Sequence, residues 1–179
     1  MDVHAANHPT VPHECQDLRQ ADWSRLPRYD LLLASPACQG HSSASQPQRR
    51  AYHDAMRATA WAVVDCADVT EPSALLVENV LDFKKWRLYP QWRAALEGIG
   101  YTLSEHRVLA ADHGVPQLRE RLFIAGTRRG RRFEAPLPSP GPRPGFGGEI
   151  DWQASGWRPV RLASPAARAR IAVAQQRLG

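Results

Sequence analysis

Tyr29-Asp30-Leu31-Leu32-Leu33-Ala34-Ser35-Pro36-Ala37-Cys38-Gln39-Gly40 is an apolar run that opens into small residues and then a thiol. A run of this length, ended by a proline-containing segment, predicts a buried strand with a loop at its carboxyl end. Open α/β sheets present ligands and reactive groups at that edge. Cys38 is therefore a candidate nucleophile. A lone cysteine after a strand is more often packing than chemistry, so the reading depends on helpers elsewhere in the chain.

Working outward, residues 1–28 are polar and His-rich, with short helical or turn character. From Arg49 to about Val69, Met56, Ala60, Val63, Val64 and Ala67 recur at helical spacing. Pro72 stops that helix, and Ala74-Leu75-Leu76-Val77 predicts a second buried strand ending at Glu78-Asn79. A helix near Pro90–Glu97 follows, closed by Gly98 and Gly100. Tyr101–Leu109 and Leu122–Gly126 predict two further strands, antiparallel to each other. This order is that of an α/β sheet. Gly130–Pro144 has loop composition, and a weakly amphipathic helix over 164–178 closes the chain.

With 179 residues the chain can form one domain with a core. Its net charge of +5 rests almost wholly on arginine, since Lys84 and Lys85 are the only lysines. That balance suits an anionic partner such as nucleic acid, although arginine-rich composition also follows genome base content. Cys15, Cys38 and Cys66 show no paired spacing, which argues against a disulfide framework and for a reducing compartment. No apolar stretch reaches membrane-spanning length and no secretory layout opens the chain, so the expected location is cytoplasmic. His4, His8, His13 and Cys15 match no standard zinc spacing, and no metal is expected.

Three features fall at predicted strand ends or beside one: Cys38, Glu78, and the pair Arg119/Arg121 in Gln117-Leu118-Arg119-Glu120-Arg121. A thiol, a carboxyl and a guanidinium suit one reaction in particular. Carbon 5 of cytosine is too poor a nucleophile to take a methyl group directly. A thiolate adding to carbon 6 converts the ring to an enamine whose carbon 5 can attack. A carboxylic acid can protonate ring nitrogen 3 during that addition where burial lifts its pKa toward neutral. An arginine at the exocyclic oxygen orients the base and stabilises developing charge.

These residues resemble the DNA cytosine-5 methyltransferases. The family's Pro-Pro-Cys-Gln stands here as Pro36-Ala37-Cys38-Gln39, its Glu-Asn-Val as Glu78-Asn79-Val80, and its Gln-x-Arg-x-Arg as Gln117-Leu118-Arg119-Glu120-Arg121. The resemblance implies an incomplete Rossmann-like, S-adenosylmethionine-dependent fold, mostly parallel, with an antiparallel strand pair near its end. It implies Cys38 as nucleophile, Glu78 as the acid, Arg119 as the base-orienting arginine, Arg121 as its support, and Asn79 as the residue holding the Cys38 loop. Asp17 and Leu18 would contact the adenine of S-adenosylmethionine, and Pro36 and Ala37 would line the methyl-donor side. Gln39, Ser42 and Gln117 would touch double-stranded DNA, with Ser42–Gln48 resembling the loop that closes on it.

The likeness runs from about Asn7 to Gly130 and leaves the family's first strand, with its Phe-x-Gly-x-Gly turn, without a counterpart. Pro144-Gly145-Phe146-Gly147-Gly148-Glu149 copies that turn only superficially, because it follows a Pro-rich loop. The expected organisation is a partial catalytic domain over 1–130. Residues 131–179 form a linker and extension leading toward a missing target-recognition region. The expected activity is DNA cytosine-5 methylation, as in restriction–modification. The alternative is an inactive fragment, or one subunit of a split enzyme that binds DNA or a partner chain. A cysteine hydrolase using Cys38 with His41 or His113 is a third, weaker reading.

Overall fold

The computed structural model describes residues 2–37, 50–128, 130, 131, 133–136, 138, 141–143, 145–149, 153 and 165–178, with backbone alone at 2, 50–58, 146, 149, 167, 174, 175, 177 and 178. Two compact units are present, residues 1–144 and 145–179.

In the first unit, a short helix α1 (Asp2–Asn7) and two 3-10 turns precede strand β1 (Leu31–Ala34). Helix α2 (Arg50–Thr70) leads to β2 (Ala74–Asn79), then α3 (Tyr89–Gly98), β3 (Thr102–Leu109) and β4 (Glu120–Thr127). α2 ends where Pro72 disfavours a helical Glu71, and Glu71 takes a left-handed turn at φ 48°. After α3, Gly100 adopts φ 100°, and the Tyr101 N–H donates to Leu96 O at 3.1 Å. Only glycine enters that conformation without strain.

The sheet order is β1-β2-β4-β3. β1 and β2 are parallel, with Leu32 opposite Leu75 and Ala34 opposite Val77. β4 runs antiparallel to both β2 and β3. The sheet is thus mixed, with a smaller parallel share than the sequence suggested, because β4 inserts between β2 and β3. The antiparallel pairing of the last two strands is as expected.

One face of the sheet carries the core. Leu75, Val77, Leu103, Leu122 and Ile124 cluster with Ala60, Val63, Val64 and Ala67 of α2 and with Trp92 and Leu96 of α3. Trp92 is fully buried, and its indole N–H donates to Ala60 O at 2.8 Å, docking α3 on α2. On β1 the alternate residues Leu31 and Leu33 face away from this core and are 52% and 66% exposed.

Arg128 is structural. Its guanidinium lies 4.8 Å over the Tyr101 ring, donates to Ile99 O at 2.9 Å and pairs with Glu71 at 3.1 Å. Burial and Tyr101 make this a packing arginine.

In the second unit, Phe146–Glu149 forms a 3-10 turn and Pro165–Leu178 forms helix α4. The glycine-containing segment is therefore not a strand-to-helix cofactor turn. No helix among the described residues is long and apolar enough to cross a membrane.

Candidate active site

The parallel pairing of β1 and β2 brings their carboxyl ends to one edge. There Ser35, Pro36, Ala37, Glu78, Val80, Arg119 and Arg121 line an open cavity of about 200 Å³. Three well-separated sequence segments converge because β4 returns antiparallel beside β2, setting its first residues next to the last residues of β2.

Arg121, at the start of β4, places its Nε 2.8 Å from Glu78 Oε1, with both side chains partly buried. The guanidinium also donates to Glu120 O at 2.7 Å. Such a held guanidinium fixes the carboxyl group's direction into the cavity. Arg119 is exposed at the rim, and its backbone is tied by Arg119 N–H to Gln117 O (2.8 Å) and by Ala110 N–H to Arg119 O (2.9 Å).

Asn79 is 1% exposed. Its Nδ2 donates to Pro36 O at 3.1 Å, and its Oδ1 accepts from the Val80 N–H at 2.9 Å. The Ala37 N–H donates to Thr59 Oγ1 of α2 at 3.1 Å. Sequence reading passed over Thr59, which sits beside the apolar stripe of α2 with no motif around it.

Cys38, Gln39 and Ser42 lie outside the described residues. The loop Ser42–Gln48 and His41 lie there as well. Gln117 is exposed in the turn before β4 and does not line the cavity. Asp17 and Leu18 do not line it either. Asp17 caps the 3-10 turn Leu18–Gln20, is exposed, and is gripped by Arg19 at 2.5 Å. Hydrogen bonds from the Arg19 side chain and backbone hold its carboxyl at about 2. Cys66 is buried against the Tyr29 hydroxyl at 3.2 Å, and burial together with that contact pushes the phenol up to about 12. It is a packing cysteine, whereas Cys15 is exposed. Among the described residues, no group of three or more His, Cys, Asp or Glu side chains could hold a metal ion.

A mixed sheet with helices on its core face thus carries an acid–guanidinium cavity at the carboxyl edge of its parallel strands. The family model for C-5 cytosine-specific DNA methylases matches residues 1–147, and the chain belongs to that family. It is 31% identical over 124 residues to the type II methyltransferase M.AquIA of Picosynechococcus sp., an alignment covering 63% of this chain and 49% of that protein. It is 29% identical over 147 residues to M1.HphI of Haemophilus parahaemolyticus, covering 77% and 40%. Among solved structures, Entamoeba histolytica methyltransferase EhMeth superposes with a TM-score of 0.59 at 16% identity, covering 76% of this chain and 44% of that one. S. pombe Dnmt2 methyltransferase does so with a TM-score of 0.59 at 18% identity, covering 74% and 41%. The chain thus spans half or less of the length of these relatives.

Proposed function

We propose that this chain is the central part of a DNA cytosine-5 methyltransferase that works on a cytosine turned out of double-stranded DNA. The observation that carries the reading is the cavity in which Glu78, Arg119 and Arg121 meet the Pro36–Ala37 backbone entering Cys38. Its size and lining suit the edge of a single pyrimidine. Extruding that base costs a few kcal/mol of unstacking, offset by contacts in the pocket.

In this mechanism the Cys38 sulfur forms a bond to carbon 6 while Glu78 gives a proton to nitrogen 3. The ring electrons move to carbon 5, which takes the methyl group. Loss of the carbon 5 proton to a water molecule, expulsion of the thiolate and return of the nitrogen 3 proton to Glu78 restore the aromatic ring and the enzyme. Arg119 approaches the exocyclic oxygen, and Arg121 keeps Glu78 directed at the base. An unperturbed cysteine is only a few per cent thiolate at neutral pH, so positive charge from this arginine pair favours the reactive form.

When bound, S-adenosylmethionine supplies the electrophilic methyl group. The fit of this chain's own residues to it is partial. Pro36 and Ala37 line the cavity, whereas the Asp17 carboxylate is taken up by Arg19. In this reading residues 1–130 are the catalytic part, residues 131–179 lead toward a target-recognition region, and the setting is the cytoplasm.

The test is a covalent complex with DNA containing 5-fluorocytosine. The adduct is expected only with cofactor and is absent in Cys38→Ser. Its absence in every combination with cofactor and complementary polypeptide would sink the catalytic reading. Thiol-dependent ester or amide hydrolysis without DNA would favour the hydrolase instead.

A second reading, one subunit of a split enzyme, is favoured by β1. It is an edge strand, and Leu31 and Leu33 expose an apolar stripe there. Unpaired edges of this kind bind further strands. Cofactor binding that appears only on adding a polypeptide carrying the family's first strands would support it.

A further inference from the structure

The Pro36–Ala37 peptide unit is clamped at both of its polar ends. Its carbonyl accepts from Asn79 Nδ2 of β2, and its N–H donates to Thr59 Oγ1 of α2. Residues of β2 and α2 thus fix one peptide plane, the one that leads into Ala37. A peptide held by both its carbonyl and its N–H loses rotation about its flanking bonds, which restricts ψ of Pro36 and φ of Ala37.

We infer that Thr59 is a positioning residue for the Cys38 nucleophile, and that the Thr59–Ala37 hydrogen bond does here what a ring does in Pro-Pro-Cys-Gln. A proline at position 37 has no N–H to satisfy, and it fixes φ by itself. Alanine at that position frees φ and brings a backbone donor that must find a partner. Thr59 is that partner. The substitution and the threonine form one compensating pair, which no single motif displays. The inference rests on the methyltransferase reading for its catalytic consequence but not for the clamp itself.

The experiment uses the full chain with Thr59→Val, Thr59→Ser, Ala37→Pro and the double variant Ala37→Pro/Thr59→Val. Amide exchange at Ala37, resolved by NMR, should accelerate about threefold to tenfold in Thr59→Val, the range a single net hydrogen bond allows. Thr59→Ser should restore protection, and Leu32 and Leu33 should be unaffected. With 5-fluorocytosine DNA and cofactor, Thr59→Val should slow adduct formation at saturating DNA by a similar factor, with DNA affinity unchanged. In the Ala37→Pro background the valine should cost clearly less than in wild type, because no N–H remains to be served.

An Ala37 amide that exchanges equally fast in wild type and Thr59→Val would overturn the clamp. Adduct rates equal in wild type and Thr59→Val would overturn the positioning role. If wild type itself forms no adduct, the methyltransferase reading fails, while the exchange measurement still decides whether Thr59 holds Ala37.

Discussion

Glu78 Oε1 and Arg121 Nε stand 2.8 Å apart across two antiparallel strands, at the wall of the cavity that Pro36 and Ala37 complete. β2 ends and β4 begins at this point, so the pair is a product of strand pairing, with Glu78 opposite Phe123 in register. Glu78→Gln keeps the shape of the side chain but removes the proton it would donate. The expected outcome is a loss of about 10² to 10⁴ in adduct formation with 5-fluorocytosine DNA, the usual worth of general-acid help. Thermal melting should be nearly unchanged. Arg121→Lys should fall between wild type and Arg121→Ala, since an ammonium lacks the planar fork that orients a carboxyl. A fully active Glu78→Gln would remove the acid from the mechanism.

Asn79 links Pro36 O and the Val80 N–H through one fully buried side chain. Asn79→Ala leaves both backbone groups without their partner, at a cost of about 1–3 kcal/mol. Asn79→Asp should be worse, because a carboxylate replaces the donor to Pro36 O and is buried without a compensating charge. Urea denaturation midpoints of the three proteins check the order, and an alanine variant as stable as wild type would mean the clamp adds nothing to folding.

Gly126 lies in β4, an inner strand of the sheet, between Leu75 of β2 and Leu103 of β3. A Cβ there would stand 2.8 Å from Leu75 Cγ and 2.9 Å from Leu103 Cδ2. Both leucines are held in the core, so Gly126→Ala should destabilise by about 1–3 kcal/mol through overpacking. Gly126→Ala combined with Leu75→Val, measured by denaturation, should recover part of that loss.

Glu105 receives Lys84 Nζ at 2.5 Å, Arg93 Nη1 at 2.7 Å and the Tyr89 hydroxyl at 2.6 Å, joining α3 to β3. Burial alone would raise its pKa, but hydrogen bonds from Lys84, Tyr89 and Arg93 outweigh burial and leave it lowered. A carboxyl with a lowered folded pKa stabilises the native state above its unfolded value, about 4.3. That stability disappears as pH falls through the folded value, which lies below it. Glu105→Gln should therefore melt lower than wild type near neutral pH, and the gap should begin to narrow as the pH falls below the unfolded value and close only below the lower folded value. A gap independent of pH would assign the loss to packing.

The local elements were legible in the residues. The apolar runs at Leu31–Ala34 and Ala74–Val77, the helical spacing over 50–70 and the stop at Pro72 each express a short-range preference that neighbours in sequence can state. β2 ends at Asn79, where the sequence reading ends it, whereas β4 starts at Glu120 rather than Leu122, because cross-strand pairing extends a strand into polar residues whose own propensity is weak. The candidate site was legible as residue types in order: a thiol, an acid and an arginine pair. Which of them touch was not.

That Arg121 grips Glu78 while Arg119 stays at the rim follows from the antiparallel register of β4 on β2, a long-range choice invisible to local pattern. Asp17 illustrates the same limit from the other side, since a plausible motif position is claimed by Arg19 two residues away. Thr59 had no pattern to announce it; only the packing of α2 against the end of β1 brings its hydroxyl to the Ala37 amide. Sequence by itself determined the elements and the chemical cast, because these depend on near neighbours and side-chain identity. The tertiary structure alone decided the pairings, because hydrogen bonds and ion pairs form between atoms that are close in space, whatever their separation along the chain.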